Sequence, residues 1–366
     1  MPYEKYSLPP YPCVMDMWDK LKTEPRPIII YGMGNGADKL IERFDMLGIK
    51  YSDIFASDGF VRGHSFHGIR VKSLEEIREL YPHFVIVLSF ASNREEVLYM
   101  LSELNMRFDM YVPDMPVAGA DEYFDREFYN ANYTEIVKAY DRLDDEASKN
   151  AYAAVINYKL TGRMEYLMSA YSDRESLYSL MPCGNILNTI DAGAYNGDTI
   201  REIKSFFPNL KKVFALEPDN RNFKKLLKYS EAENGFSVIP INSAAWCESL
   251  SGGFSDSGNR NSSVSATASY QHKTTTVSLV RLDGITEKKI DYIKYDVEGA
   301  EREALLGSHG LIKKYHPTLL VSIYHRSRDI FDLINILSER YSGYRFYIRR
   351  LKCLPAWEID LIMIPT

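Results

Sequence analysis

Cysteine is scarce in this sequence, and its four occurrences, Cys13, Cys183, Cys247 and Cys353, lie far apart. Such spacing gives neither a paired zinc-ligand motif nor a disulfide framework. The seven histidines show no metal-type spacing with the cysteines. We therefore expect a protein of a reducing compartment.

Long apolar runs and blocks of one charge are missing as well. No apolar run approaches the roughly 20 residues that cross a bilayer, and residues 1–5 do not begin a secretory signal. The net charge is −6, with no Lys/Arg block on the scale of a nucleic-acid arm, although Lys211-Lys212 and Lys224-Lys225 leave a small basic face open. We expect a soluble, cytoplasmic protein without membrane insertion or a nucleic-acid partner.

The composition is that of an ordinary globular protein. The 366 residues are 45% hydrophobic and 26% charged, which suffices for two domains with buried cores. Changes of pattern along the chain predict a Rossmann-like nucleotide-binding-type domain at 1–116, a helical connector at 117–184 and a second α/β domain at 185–366.

The first stretch has the pattern of a βαβ unit. A strand at 28–31 leads into a glycine turn and an amphipathic helix that stops at Gly48, and further strands are predicted at 49–56 and 84–88. The third of the turn glycines, Gly32, Gly34 and Gly36, comes one residue early for the dinucleotide motif G-x-G-x-x-G. Asp53 and Asp58 are candidate ribose-binding acids, and Asp58 better fits the end of the second strand.

This stretch resembles small Rossmann-like domains fused to sugar-modifying enzymes, including the nucleotide-sugar-binding part of some acyltransferases. Two interpretations stay open. The turn glycines and Asp58 form a nucleotide site, or the unit is structural or dimer-forming, and a dimer-forming unit would make the protein a homo-oligomer.

The second stretch is helical. Residues 144–160 have acids at their start, Ala151, Val155 and Tyr158 on one stripe, and Gly162 just after their end, a pattern typical of a helix with a glycine stop. We expect a connecting helical layer without chemistry.

The third stretch alternates strands, predicted at 186–190, 213–216, 236–241 and 290–295, with helices. The alternation predicts a mostly parallel sheet with helices on both faces. Ligands of such sheets bind beyond the carboxyl ends of the strands, and the polar clusters of this stretch fall there.

The turn at 191–198, Asp-Ala-Gly-Ala-Tyr-Asn-Gly-Asp, follows the first of these strands. Gly193 and Gly197 allow a tight turn and close approach to a ligand. Asp191 and Asp198 would repel phosphates but suit a cationic cofactor such as a sulfonium. A purely structural tight turn is the alternative.

Acids also follow two later strands. Glu217 stands after the second strand, close to the separation at which an acid grips ribose hydroxyls, and Asp219 suits the role of a helix-start charge better. Asp296 and Glu298 alternate at the end of the fourth strand, so both can face one cleft. Burying two carboxylates requires a compensating cation, metal or proton. Glu301 is expected to open the next helix.

These segments together resemble the FkbM family of methyltransferases. The resemblance rests on residues 191–198, Glu-Pro-Asp-Asn at 217–220 with Phe223, Leu282-Asp283, and Lys-Tyr-Asp-Val-Glu-Gly-Ala-Glu at 294–301. It implies a class I methyltransferase fold, a Rossmann-like doubly wound α/β sheet, with S-adenosylmethionine as cofactor. It also implies methylation of a hydroxyl, typically on a sugar or a polyketide-like natural product. Tyr295 departs from the aliphatic residue that is usual there.

The resemblance also assigns roles. Asp191, Gly193 and Gly197 would form the cofactor turn, Glu217 would bind the ribose, and Asp296 and Glu298 would border the methyl-transfer cleft. The full cofactor set that we expect comprises Asp191, Gly193, Ala194, Tyr195, Asn196, Gly197, Asp198, Glu217, Pro218, Ser243, Ala244 and Asp296. Ser243 and Ala244, at the end of the third strand, are the candidates to face the adenine.

O-methylation needs a base near the acceptor hydroxyl. His325 also lies at a strand end, where family members often have a histidine, and it titrates in the right range. Glu298 is the other candidate. Asp296, Glu298 and His325 could alternatively hold Mg²⁺. Residues 251–269, rich in Ser, Gly, Asn and Ala, predict a flexible loop, either a substrate-side lid or an ordinary surface loop.

The leading hypothesis is therefore an S-adenosylmethionine-dependent O-methyltransferase acting on a small-molecule or glycan acceptor. Two alternatives remain. One is an NAD(P)-dependent oxidoreductase built on the N-terminal glycines, which the imperfect motif disfavours. The other is a non-catalytic nucleoside-binding scaffold that keeps the fold without turnover.

Overall fold

The computed structural model describes residues 5–61, 63–118, 122–255, 263–265 and 274–366. Its N-terminal part is built on a parallel sheet of strand order β2-β1-β5-β6, beside a short β3–β4 hairpin. The elements are α1 Met17–Lys22, β1 Ile28–Tyr31, α2 Asn35–Leu47, β2 Asp53–Phe55, β3 Ser65–Phe66, β4 Ile69–Arg70, α3 Leu74–Leu80, β5 Val85–Leu88, α4 Glu95–Arg107 and β6 Asp109–Tyr111.

The second strand of the N-terminal sheet, β2, begins at Asp53 and not at residue 49, as the sequence predicted. Gly48 ends α2 in the left-handed conformation, and Ile49 N donates to Phe44 O at 2.9 Å. Residues 49–52 therefore belong to the exit from the helix, and β2 begins at Asp53.

The middle of the chain is helical: α5 Arg126–Arg142, α6 Glu146–Thr161, α7 Met164–Ser169 and α8 Arg174–Tyr178. The helix predicted at 144–160 is confirmed as α6, which the Asp145 side chain caps and which Gly162, at φ 64°, terminates. One cluster of buried side chains contains Ile29 of β1, Tyr152 of α6 and Ile190. The helical layer thus joins the two α/β parts, and the domain boundaries at 116 and 184 stay a prediction.

The C-terminal part contains a seven-stranded sheet of order β16-β17-β15-β14-β7-β8-β9. β17 runs antiparallel to both of its neighbours, and the other pairings are parallel. Its strands and helices are β7 Asn188–Ala192, α9 Asp198–Phe206, β8 Lys212–Leu216, α10 Asn220–Ala232, β9 Ser237–Ile241, β14 Tyr292–Tyr295, α11 Glu301–Leu306, α12 His309–Tyr315, β15 Thr318–Ser322, α13 Asp329–Arg340, β16 Tyr344–Arg350 and β17 Ile359–Pro365.

Both faces of this sheet are covered. Along β8, Val213 and Ala215 join a buried cluster with residues of α8, α9 and α10, whereas Phe214 and Leu216 join the cluster that holds α6 and α13. Alternate residues of a strand point to opposite faces. The predicted doubly wound α/β fold with a mostly parallel sheet is confirmed.

A second, smaller sheet corrects two predictions. It has the order β10-β13-β11-β12, with β10 Ser243–Ala245, β11 Leu250–Ser255, β12 Ser263–Ser265 and β13 Thr274–Val280. The expectation of a flexible loop at 251–269 is wrong for β11 and β12, and the remaining residues of that range lie outside the described part. β11 pairs along six residues with β13, whose sequence is rich in β-branched residues.

Ser243 and Ala244 do not end the third strand of the main sheet, as predicted, but form β10 of the smaller sheet. The break falls at Asn242, whose side-chain amide donates to Glu217 O at 2.8 Å and so turns the chain toward the tip of β8.

None of the helices in the described part of the chain has the length and apolar character that a membrane span requires.

Candidate active site

Four predicted site residues lie at one edge of the large sheet. Asp191 is at the end of β7, and Glu217, Asp296 and His325 follow β8, β14 and β15. β8, β7, β14 and β15 are neighbours in this order and run parallel. The sheet therefore brings these side chains to its carboxyl edge, where open α/β sheets bind ligands.

The turn after β7 requires its first glycine for a packing reason. Gly193 has φ 92°, and a Cβ at this position would lie 1.9 Å from Asp296 O. The turn thus passes directly over the loop that follows β14. Gly197, at φ 86°, precedes α9, and a Cβ there would meet the Tyr229 ring at 2.6 Å.

Asp191 is a buried carboxylate in need of a partner. Its side chain is 1% exposed, and in the described structure neither carboxylate oxygen accepts a hydrogen bond. Burial raises its pKa to about 6, although the nearby Lys294 ammonium opposes the rise. A buried polar group without a partner points to a ligand or water that completes it.

Glu217 links two strand ends. Its Oε2 accepts from Tyr195 N and its Oε1 from Asp219 N, both at 2.8 Å. Burial raises its pKa to about 7, against the lowering effect of these two backbone donors. Each carboxylate oxygen keeps a further lone pair for a ligand hydroxyl.

Asp219 has the local role that the sequence predicted. Its Oδ1 accepts from Arg221 N and Asn222 N at the start of α10. Helix capping thus falls to Asp219, and Glu217 remains available at the strand tip.

His325 lies at the centre of an acidic cluster. The imidazole is fully buried, with Nδ1 3.0 Å from Glu301 Oε1 and Nε2 3.5 Å from both Asp296 Oδ1 and Glu298 Oε2. Neither ring nitrogen makes a hydrogen bond of good geometry within the described structure. The Asp296 and Glu298 side chains are about a third exposed, at 31% and 32%, and so reach from His325 toward the cleft.

The protonation of this cluster corrects one expectation. Burial alone would lower the pKa of His325, but Glu301, Glu298 and Asp296 outweigh it and raise the pKa to about 10. The imidazole is therefore protonated at neutral pH. The prediction that His325 titrates in the physiological range is wrong. Burial raises the pKa of Glu298 to about 8, against the opposing effect of His325.

Asp296 is an ionised carboxylate of this cluster. Its Oδ2 accepts from Lys294 Nζ at 3.0 Å, and the Tyr324 hydroxyl donates to Oδ1 at 3.4 Å. Although burial favours the neutral acid, Lys294 and His325 together hold its pKa below the usual value.

The remaining predicted cofactor residues occupy the same loops. Asn196 accepts from Arg201 through Oδ1 at 2.7 Å, and Asp198, at the first turn of α9, is exposed and accepts from Thr199 N. Ala194 is buried, Tyr195 is half-buried, and Pro218 O lies 3.4 Å from Asn242 Nδ2.

Sequence reasoning missed Asn242, and it gave Glu301 a helix-start role only. Glu301 does begin α11, but it also contacts His325. The position of Glu301 inside the motif at 294–301 could have indicated its role in the site. Nothing in the sequence indicated the role of Asn242, because that role depends on where β9 ends.

A metal-binding arrangement includes different residues from those expected. Asp296, Glu301 and His325 offer ligand atoms within 4.8 Å of one another, whereas the predicted Mg²⁺ set had Glu298 in place of Glu301. Mg²⁺ prefers oxygen ligands, which the two carboxylates of this group supply, and metal binding to His325 would release its proton.

The candidate residues of the N-terminal nucleotide site follow β1 and β2, and nucleotide binding there stays a prediction. Asp58 is exposed in a short 3₁₀ helix after β2. Asp53 is buried and paired with Lys72 at 2.6 Å.

The turn glycines pack against a neighbouring loop. A Cβ at Gly36 would lie 2.0 Å from Ser89 O, and one at Gly32 would lie 2.7 Å from the Ser89 hydroxyl. These two glycines serve packing against the loop after β5, and Gly34 is the one that faces open space.

Comparison with known proteins agrees with this architecture. Residues 191–346 match the family model described as the methyltransferase FkbM domain. The chain is similar to the solved structure of a methyltransferase FkbM from Methylobacillus flagellatus KT, with a TM-score of 0.67 and 18% identity over 92% of this chain and 90% of that chain.

A weaker likeness links the chain to SMU.1697c, a putative methyltransferase from Streptococcus mutans solved in complex with SAH. It has a TM-score of 0.36 and 12% identity over 54% of this chain and 100% of that chain. No match was found among curated proteins. The FkbM resemblance is confirmed as a match of residues 191–346 to the model of that domain.

Proposed function

We propose that the chain is an S-adenosylmethionine-dependent O-methyltransferase that methylates a hydroxyl of a sugar, a glycan or a nucleotide-linked sugar. The observation that carries this proposal is the buried, unpartnered Asp191 carboxylate beside Glu217, at the carboxyl edge of an FkbM methyltransferase domain. The FkbM resemblance supports the sugar acceptor.

The residues present fit this cofactor. Asp191, Glu217 and Asp296 surround the turn with negative charge, which favours a sulfonium and repels a pyrophosphate. Glu217 would accept from the ribose hydroxyls, and the backbone turn at Gly193 and Gly197 would lie against the cofactor. When bound, the cofactor supplies an electrophilic methyl group on sulfur.

Glu298 is the proposed proton acceptor. It lies in the cleft with its pKa raised to about 8, within the range in which a general base operates near neutral pH. A cation bound beside Asp296 would lower the pKa of Glu298 from this raised value. Glu298 would take the proton that the acceptor hydroxyl loses as its oxygen bonds to the methyl carbon.

His325 is the proposed positioning residue. Its protonated ring lies 3.5 Å from Asp296 and from Glu298, so one buried cation fixes both carboxylates. The sequence left the base open between His325 and Glu298, and the pKa of about 10 for His325 favours Glu298.

Calorimetry with S-adenosylmethionine and, separately, NAD tests the cofactor. We expect binding of S-adenosylmethionine, and its absence would overturn the proposal, whereas NAD binding in its place would favour an oxidoreductase. Activity measurements on a panel of sugar and glycan acceptors then distinguish an enzyme from a nucleoside-binding scaffold. Adding EDTA to the active protein tests Mg²⁺, and loss of activity would establish a metal requirement.

A further inference from the structure

A cavity of about 230 Å³ lies between the N-terminal glycine turn and the loop that precedes β17. Its N-terminal wall comes from the turn after β1, from residues 89–91 after β5, and from residues 112, 113 and 115–117 after β6. Its other wall includes Pro355 and Trp357, shortly before β17 begins at Ile359.

The carboxyl edges of both large sheets meet at this cavity. Because β17 is antiparallel to β15 and Asp360 pairs with Ser322, the start of β17 lies at the same edge as His325. On the N-terminal side, the walls follow the ends of β1, β5 and β6. Ligands of open α/β sheets bind at such edges, so a molecule in the cavity would face both parts of the protein.

The wall of the cavity continues directly into the candidate active site. Val117 lines the cavity, and the next residue, Ala118, donates through its backbone N to His325 O at 2.9 Å. Ala118 also packs so closely on Gly299 that a Cβ at Gly299 would lie 2.6 Å from the Ala118 Cβ. A ligand in the cavity would therefore lie beside the Glu298–Gly299 turn.

Much of the lining is apolar and aromatic. Phe90 and Trp357 contribute rings, and Met33, Met115 and Pro116 contribute further apolar surface. The Trp357 indole N–H is buried without a hydrogen-bond partner within the described structure. A ring-shaped ligand with polar substituents would pack on such surfaces and offer that N–H an acceptor.

The cavity also contains an unpaired positive charge. Lys39 is half-buried, and its ammonium donates to Pro116 O at 3.2 Å. Among the described residues no carboxylate pairs with it, and burial lowers its pKa without an opposing acid. A phosphate or carboxylate on the ligand would complete its coordination.

The size of the cavity limits the ligand. Drug-sized ligands occupy cavities of about 300–1,000 Å³, so a cavity of about 230 Å³ suits one ring with an anionic group better than a dinucleotide.

We propose that this cavity binds the acceptor of methyl transfer, with a ring packed against Phe90 and Trp357 and a phosphate or carboxylate held by Lys39. The inference rests on the proposed function, because it assigns the acceptor of that reaction. It makes the N-terminal part of the chain the acceptor-binding part of the enzyme.

Calorimetric titration of the full chain tests this assignment. The probes are glucose 6-phosphate, glucose 1-phosphate and glucuronate, with glucose as the neutral counterpart. We expect at least one anionic probe to bind the wild-type protein about tenfold or more tightly than glucose, and Lys39→Met to remove most of that preference. The phosphorylated probes and glucuronate distinguish a phosphate acceptor from a carboxylate acceptor.

Two further variants locate the binding. Trp357→Phe keeps a ring but loses the N–H, and we expect it to weaken the same probe with little effect on folding. Lys50→Met makes the same change as Lys39→Met at an exposed position just beyond α2, and it should bind like the wild type. Failure of every anionic probe to bind, or equal binding by Lys39→Met, would overturn the assignment.

S-adenosylmethionine is titrated into the same proteins. Intact cofactor binding without anionic-probe binding would count against the acceptor cavity alone. If the wild type does not bind the cofactor, the proposed function is contradicted, and the probe titrations still test ligand binding in the cavity.

Discussion

The two glycine turns of this molecule share a close contact with a neighbouring loop but have opposite electrostatic surroundings. In each, a glycine after the first strand of a parallel sheet lies against the loop that follows a neighbouring strand. An added Cβ would lie 2.0 Å from Ser89 O at Gly36 and 1.9 Å from Asp296 O at Gly193. Around Gly193 are Asp191, Glu217 and Asp296, whereas the N-terminal turn has Lys39 nearby.

The positions of the glycines therefore reflect where the turn packs against the loop of a neighbouring strand. The charges around the turn indicate the charge of the ligand. This explains why the near match of Gly32, Gly34 and Gly36 to a dinucleotide motif was a weak guide. The acidic edge suits a cationic cofactor, and the edge with Lys39 suits an anionic acceptor.

Glu298→Gln and His325→Ala, both at the acidic edge of the large sheet, should give the largest effect on activity. We expect each to lower turnover by about 10²–10⁴-fold, the usual contribution of a positioned proton acceptor, with S-adenosylmethionine affinity nearly unchanged. Steady-state kinetics and calorimetry measure the two quantities. Glu287→Gln, at an exposed position, is the matched control, and wild-type turnover in either active-site variant would remove that residue from the mechanism.

Alanine at three glycines tests the shared contact. Gly193→Ala combines a backbone clash with strain at φ 92°, so we expect a loss of about 3 kcal/mol or more in the free energy of unfolding. Gly36→Ala should cost nearly as much, because it clashes with Ser89 O. Gly34→Ala meets no atom within 4 Å and should cost about 1–2 kcal/mol of strain alone. Urea denaturation compares the three, and an equal cost for Gly34→Ala would contradict the packing explanation.

Two buried acids near the second strand of each sheet provide the next comparison. Glu217→Ala should weaken S-adenosylmethionine binding by about 1–3 kcal/mol, since a charged hydrogen-bonding partner is lost. Asp53→Ala breaks the buried pair with Lys72 and should lower stability without changing cofactor affinity. Unchanged affinity in Glu217→Ala would show that the ribose assignment is wrong.

The sequence allowed the strand-end acids to be located because strand ends are local features. Asp191, Glu217 and Asp296 each follow a short apolar run with turn residues beside it, and the sheet then brings them together. The FkbM motifs added the fold class. Helix α6 was predictable for the same reason, since its cap and its glycine stop lie within its own segment.

Features that depend on several distant elements could not be predicted. The high pKa of His325 arises from carboxylates that follow β14 and begin α11, so the residue type alone suggested the wrong protonation state. The strand pairing of β11 with β13 overrode a loop-like composition. The cavity lined by Lys39 and Trp357 forms between segments more than three hundred residues apart in the chain, and no local pattern marks it.

The pH dependence of cofactor binding should give the smallest effect. Burial raises the pKa of Glu217 to about 7, and only the ionised carboxylate can accept from both ribose hydroxyls. Affinity for S-adenosylmethionine should therefore rise about tenfold between about pH 6 and pH 8, as the proton leaves, and then level off. Calorimetry across this range measures the rise.

Glu217→Gln is the control for this titration, because it keeps the shape of the side chain and removes its proton equilibrium. Asp191, with a pKa raised to about 6, and the amino group of the cofactor titrate in both proteins. The difference between the two pH profiles therefore isolates Glu217. None of the described residues that line the N-terminal cavity is an acid, so binding of an anionic probe there should not rise over the same range. An equal rise at both edges would mean that a group common to the whole protein causes it, and identical profiles for wild type and Glu217→Gln would assign the titration to Asp191 or to the cofactor.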